Sequence, residues 1–273
     1  MSPMSEAPLE EPQVTKPSIK PHYVLVHGVG NGGWCWYKIR SLLEASGYKV
    51  SCIDLKSGGI DPSDPNSLLV FEDYNKPLID FLSTLPENQK IILVGHSAGG
   101  LSVTHALHTF GKKIYLAVYV AATMLRLGFT TQQDAIDGVP DLSMFGEAYD
   151  FEFGLGLDQP PTTAVVKKDL QRKILYNMSP IEDSTLASML LKPGPVRALQ
   201  GAQFKEEENV DQVRRVYIKA MHDRVLKPIQ QDAMTKKWPP SHVFALESDH
   251  SPFFSAPFEL FGLLVKVSSS QFC

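Results

Sequence analysis

The sequence predicts an α/β protein: a mostly parallel central sheet with helices on both faces and one inserted cap. Three observations carry this. Short apolar runs rich in β-branched residues recur along the chain, each the length of a strand buried on both faces. Helix-compatible stretches separate them, and such alternation marks a parallel sheet covered on both sides. The rhythm stops near Met124 and resumes near Arg215.

At 273 residues the chain suits one large domain carrying an insertion, able to bury roughly three-quarters of its unfolded surface. Residues 1–20, with four prolines and no apolar core, read as a disordered extension lacking the features of a secretory signal or transit peptide. Residues 21–123 and 206–273 make the core and 124–205 the cap. An apolar fraction of 43%, a charged fraction of 21% and a net charge of −4 describe an ordinary globular protein, with neither a nucleic acid nor an acidic surface as partner. No apolar run approaches the ~20 residues needed to span a bilayer, so no membrane partner is expected either. Cys35, Cys52 and Cys273 are too few and scattered for a disulfide framework, which fits a reducing, cytoplasmic setting. Oligomeric state is left open, a homodimer included.

In chain order, His22–Val26 is the first strand and runs into His27-Gly28-Val29-Gly30-Asn31-Gly32-Gly33. Four glycines in seven residues demand special backbone angles or close approach of another group. The phosphate-loop pattern G-x-x-x-x-G-K-[ST] is absent, and a phosphate-binding reading is the weaker one beside that of an oxyanion loop. Trp34-Cys35-Trp36-Tyr37 then leads into a helix through Leu43. Most of these aromatics belong to the core, with Trp34 placed to form a pocket wall; Cys35 lies in no recognisable nucleophile motif. Val50–Leu55 is the next strand. A helix from Val70 to Leu85 shows Leu78, Phe81, Leu82 and Leu85 at helical spacing and Pro86 as its stop.

The stretch Lys90 to Leu107 organises the rest. The run Ile91-Ile92-Leu93-Val94 is followed by Gly95-His96-Ser97-Ala98-Gly99 and then a helix. A bare G-x-S-x-G arises by chance in on the order of one chain in ten of this size. The preceding strand and following helix make it a nucleophile elbow, in which a tight turn lifts the Ser97 hydroxyl to the carboxyl end of the sheet. Small neighbours are needed because strand and helix would otherwise collide. An oxyanion needs two backbone N–H donors, one after the nucleophile and one from an earlier strand's loop. Ala98 and Val29 are placed to supply them.

Ile114–Ala122 is another buried strand. Beyond it the cap shows helical patches, prolines and glycine turns, with no strong central strand. Its Met124, Leu125, Phe129, Met144, Phe145, Phe151, Phe153, Met189 and Leu190 are candidates to face a pocket. Met124, Phe129 and Phe145, with Trp34 and Ser251, are the chosen pocket set. The core resumes with a strand at Arg215–Met221, a helix bearing Ile229, Met234 and Trp238, a strand at His242–Leu246 and a final helix from Pro252 to Val267.

Asp223 and His250 each follow the carboxyl end of a predicted strand, where parallel sheets place their sites. The order Ser97, Asp223, His250 is that of α/β-hydrolases. Ser97 is the expected nucleophile and His250 its base, with Asp223 fixing the imidazole tautomer. Asp249 is a rival acid, but as the immediate neighbour of His250 it cannot reach the ring from the correct side. His27 and His96 flank the glycine turns as supports. His105 and His108 lie three apart with no third ligand, a polar helix face rather than a metal set. No metal or cofactor is implied.

VLVHG with GGWCWYK, GHSAGG, the Asp223 segment and ESDHSPFF together resemble the plant methylesterases of the α/β-hydrolase superfamily, over residues 22–267. That group includes salicylate, jasmonate and indole-acetate methyl ester hydrolases and related hydroxynitrile lyases. The resemblance implies an α/β-hydrolase fold, a Ser97–Asp223–His250 triad and an oxyanion hole at Val29 and Ala98. It also implies turnover of a small methyl ester to acid and methanol, leaning towards methyl indole-3-acetate. The lyases carry a lysine after the histidine and a threonine in the oxyanion loop; here Ser251, Gly28 and Val29 stand there, which argues against cyanohydrin cleavage. Hormone receptors on the same scaffold resemble GHSVSA at the elbow, and GHSAGG resembles the esterases.

Overall fold

The computed structural model describes residues 20–207 and 209–269. The expected N-terminal extension through residue 19, and Cys273, lie outside the described residues.

Six strands form one parallel sheet: β1 (His22–Val26), β2 (Lys49–Ile53), β3 (Ile91–His96), β4 (Ile114–Val120), β7 (Arg214–Ala220) and β8 (His242–Leu246), in the spatial order β2-β1-β3-β4-β7-β8. Every pairing is parallel. Alternate side chains divide between two cores, as the period of two requires. Val24, Val26, Ile91 and Leu93 pack on one face beneath α2 (Phe71–Thr84) and α3 (Gly99–Phe110). Tyr23, Leu25, Ile92 and Val94 pack on the other against α1 (Tyr37–Ala45) and α10 (Pro257–Ser268). Both faces being dry is why these strands read as continuous apolar runs.

Between β4 and β7 the chain leaves the sheet. It forms α4 (Gln132–Gly138), an antiparallel ribbon of β5 (Tyr149–Glu152) and β6 (Thr163–Val166), and then α5 (Lys168–Ile174), α6 (Ile181–Leu190) and α7 (Val196–Gln200). The ribbon departs from the expectation of helical patches and loops alone. Its strands have four residues each, too short for alternation to stand out from the flanking turns. Between β7 and β8 runs α8 (Pro228–Lys237).

Several boundaries also differ from expectation: β4 ends at Val120 rather than Ala122, α2 is a residue shorter at each end, and β7 shifts by a residue. β2 stops at Ile53, because the Asp54 carboxylate beyond it accepts the N–H groups of Gly33 at 2.6 Å and Ile60 at 3.2 Å. The expected final helix is two, α9 (Pro252–Ser255) and α10, since Ala256 precedes Pro257 and takes φ −143°, ψ 52°.

Candidate active site

Four loops, at the carboxyl ends of β1, β3, β7 and β8, converge on one point. Ser97 occupies the turn from β3 into α3 with φ +53°, a left-handed backbone that non-glycine residues rarely adopt. Its flanking glycines are sterically required. A methyl group on Gly95 would lie 2.6 Å from the Gly99 carbonyl oxygen, and one on Gly99 would lie 2.5 Å from the His27 carbonyl oxygen. Gly28 is fixed in the same way, since a methyl group there would come within 2.8 Å of Ser97 Cβ.

His250 follows β8 and its Nε2 lies 3.0 Å from Ser97 Oγ. Its Nδ1 lies 2.8 Å from Asp223 Oδ2. With Nδ1–H donating to the carboxylate, Nε2 is left to accept the serine hydroxyl. The other Asp223 oxygen accepts the backbone N–H groups of Val225 and Leu226 at 2.7 and 3.0 Å, which fixes the carboxylate plane. All three side chains are buried. The assembly can move a proton from Ser97 to His250 while Asp223 stabilises the resulting cation.

Two buried imidazoles brace this centre. His96 donates from Nε2 to the His250 carbonyl at 2.6 Å, and burial, reinforced by neighbouring His250, holds its pKa well below the ordinary 6.5. His27 donates from Nδ1 to Gly28 O at 2.7 Å and accepts the Leu55 N–H at Nε2 at 3.0 Å; burial lowers its pKa too. His105 and His108 serve elsewhere. Asn75 donates to His105 Nδ1, and His108 donates to Arg126 O. The Cys35 thiol is fully buried in the sheet's second core, where burial pushes its pKa up, the wrong direction for a nucleophile.

A cavity of about 340 Å³ opens on Ser97 and His250, and Val29 and Ala98 both line it. Neither of their N–H groups donates within the turns and loops, so both amides are available at the cavity wall. The remaining lining is largely apolar. It comes from α3 (Leu101), from the loop after β7 (Val225, Leu226) and from the segment between β4 and β7 (Phe129, Tyr149, Phe151, Val165, Leu175, Tyr176, Leu191, Leu199).

Of the predicted pocket residues, Phe129 and Ser251 line this cavity and Trp34, Met124 and Phe145 do not. Trp34 stacks on Phe254 at 6.5 Å, drawn to the aromatic cluster beside α1 and α9. Met124 is wholly buried in the core, its N–H directed at Met234 Sδ. Phe145 packs with Leu142, Ala148 and Ile174 in the inserted segment's own small core. Met144 and Met189 are exposed. Sequence reasoning missed Tyr149, Leu175, Tyr176, Leu191 and Lys192 as lining. No motif marks them; they are scattered over one ribbon and several short helices.

The inserted segment also grips the loop that follows β1. Lys192 N–H donates to Gly30 O at 2.9 Å. Gly30 takes φ +72°, where a side chain would strike Lys192 O, and a methyl group on Gly194 would lie 2.0 Å from Val29 Cγ2.

Comparison with known proteins bears on the family and the fold. The family model described as "Alpha/beta hydrolase family" matches residues 23–262. The chain is 56% identical to methylesterase 17 of Arabidopsis thaliana over 98% of its length and 99% of that protein. It is 45% identical to the pheophorbidase of Raphanus sativus, covering 91% of this chain and 94% of that one. The crystal structure of methylesterase MES16 from Arabidopsis superposes with a TM-score of 0.82 at 41% identity, covering 90% of this chain and 98% of that one. The chain belongs to the α/β-hydrolase family and, within it, to the plant methylesterases, serine-type carboxylic ester hydrolases.

Proposed function

We propose that the protein hydrolyses methyl esters of small ring-bearing hydrophobic acids through an acyl-enzyme on Ser97, with methyl indole-3-acetate preferred over methyl jasmonate and methyl salicylate. The observation that carries the mechanism is the unbroken chain Ser97–His250–Asp223 at 3.0 and 2.8 Å beneath a cavity walled by two undonated amides. Ser97 Oγ attacks the ester carbonyl carbon as its proton passes to His250 Nε2. The carbonyl oxygen becomes an oxyanion and accepts the N–H groups of Val29 and Ala98. Collapse breaks the bond to methoxide, which leaves as methanol with the proton from His250. Water then attacks the acyl-enzyme, gives its proton to His250, and the acid departs as Ser97 regains its hydrogen.

The substrate preference rests on the cavity. Its walls are chiefly aliphatic and aromatic, with no acidic side chain and Lys192 alone carrying a permanent charge, which suits a neutral, flat or alicyclic acyl group. A cytoplasmic setting is proposed with it, on the scattered placement of the cysteines.

The test is kcat/KM for the three esters and for a long-chain lipid ester, with Ser97→Ala as control. The variant is expected to lose several orders of magnitude in kcat while still binding ester. Preference for the lipid ester would point to a lipase-like pocket. Turnover of none, with tight binding of a signalling lactone, would favour a receptor.

A further inference from the structure

Asp249, next in sequence to His250, takes no part in the hydrogen-bond chain that reaches Ser97. It is fully buried and accepts five hydrogen bonds. Oδ2 takes the N–H groups of Met178 and Ser179 and the Ser179 hydroxyl, each at 2.8 Å. Oδ1 takes the Ser251 N–H at 2.9 Å and the Ser255 hydroxyl at 2.8 Å. Three of these donors belong to the inserted segment, directly after Leu175 and Tyr176, which wall the cavity. Of the other two, Ser251 lies in the turn that carries His250 into α9 and Ser255 is the last residue of α9.

We propose that Asp249 is a positioning residue that ties the Leu175–Tyr176 wall to the His250 loop, so that the acyl pocket and the base hold one register. Two further contacts fit that role. His250 is held through its ring by Asp223 and through its carbonyl by His96, and neither contact reaches the inserted segment. Asp249 supplies that missing connection. Five donors converge on an acceptor-only group, which an asparagine cannot replace, because its NH₂ would face donors.

The inference rests on His250 as the base proposed above. Asp249→Asn is expected to lower kcat by about tenfold to a hundredfold, the cost of a small misplacement of a reacting group, and to raise KM severalfold. It should also shift or broaden the downfield proton resonance of the His250–Asp223 hydrogen bond. Ser179→Ala removes one of the wall's three bonds and should move kcat, KM and the resonance in the same direction by less, which keeps the test open if Asp249→Asn fails to fold. A lowered Tm with kcat, KM and the resonance all as in the parent would make Asp249 a structural residue only and overturn the proposal. Failure of the triad itself would show separately, as near-normal turnover by Ser97→Ala.

Discussion

Asp223 and Asp249 are both buried carboxylates beside His250, and their partners divide their duties. Asp223 reaches Nδ1 at 2.8 Å, whereas both oxygens of Asp249 are occupied by backbone and serine donors. Asp223→Asn should favour the wrong His250 tautomer and lower kcat by about 10⁴, by analogy with serine proteases, with the fold retained. Steady-state kinetics on both asparagine variants check the assignment, and a larger loss at Asp249 would reverse it. At the elbow, Gly95→Ala places a methyl group 2.6 Å from both Gly99 O and Val103 Cγ2. The strand–helix junction must then open, at about 1–3 kcal/mol, readable as a lower denaturant midpoint. These centres were legible because each residue follows a strand end and the elbow demands small neighbours. Trp34 was misread for a related reason. Proximity in sequence to the glycine loop does not fix which way an indole turns, and Phe254, 220 positions away in the sequence, captured it.

Among the elements, the parallel strands were the most legible, since burial on both faces writes itself as an unbroken apolar run. Leu93 in β3 is fully buried, and Leu93→Ala should cost about 2–5 kcal/mol, seen in chemical denaturation. The ribbon of β5 and β6 was not legible, because four-residue strands carry too few alternations. The turns after β1 and within the elbow bring a pH dependence. His27 and His96 are held below the ordinary 6.5 in the folded chain, so on acidification the unfolded chain binds protons first. The stability they confer is complete above about 6.5 and is lost as pH falls towards their folded values. The loss approaches 1.4 kcal/mol per group per pH unit, to order of magnitude. Urea midpoints should fall between neutrality and about two pH units lower, and His96→Gln should flatten that slope. A midpoint that stays level would contradict this account.

On the scale of the whole molecule, the core carries the proposed triad and the segment between β4 and β7 supplies most of the cavity wall. Selectivity should therefore move with that wall. Phe129→Ala, which enlarges the cavity, is expected to raise KM for a ring-bearing methyl ester severalfold with a smaller change in kcat. A variant with unchanged KM for every ester in the panel would remove Phe129 from the pocket. The wall was only partly legible, Phe129 and Ser251 being the chosen residues that reach it. A pocket lined by dispersed side chains leaves no spacing to read.

The grip of Lys192 and Gly194 on the loop bearing Val29 has a consequence for exchanging parts between relatives. An insertion that merely roofed the site could be swapped like a fitting, altering taste and leaving speed alone. Here the same main chain that shapes the cavity wall also holds the loop bearing Val29, one of the two amides proposed to receive the oxyanion. A transplanted insertion would therefore reset turnover together with preference. Chimaeras that carry residues 28–33 and 191–194 across as a pair are expected to keep a higher kcat than those that exchange the insertion alone.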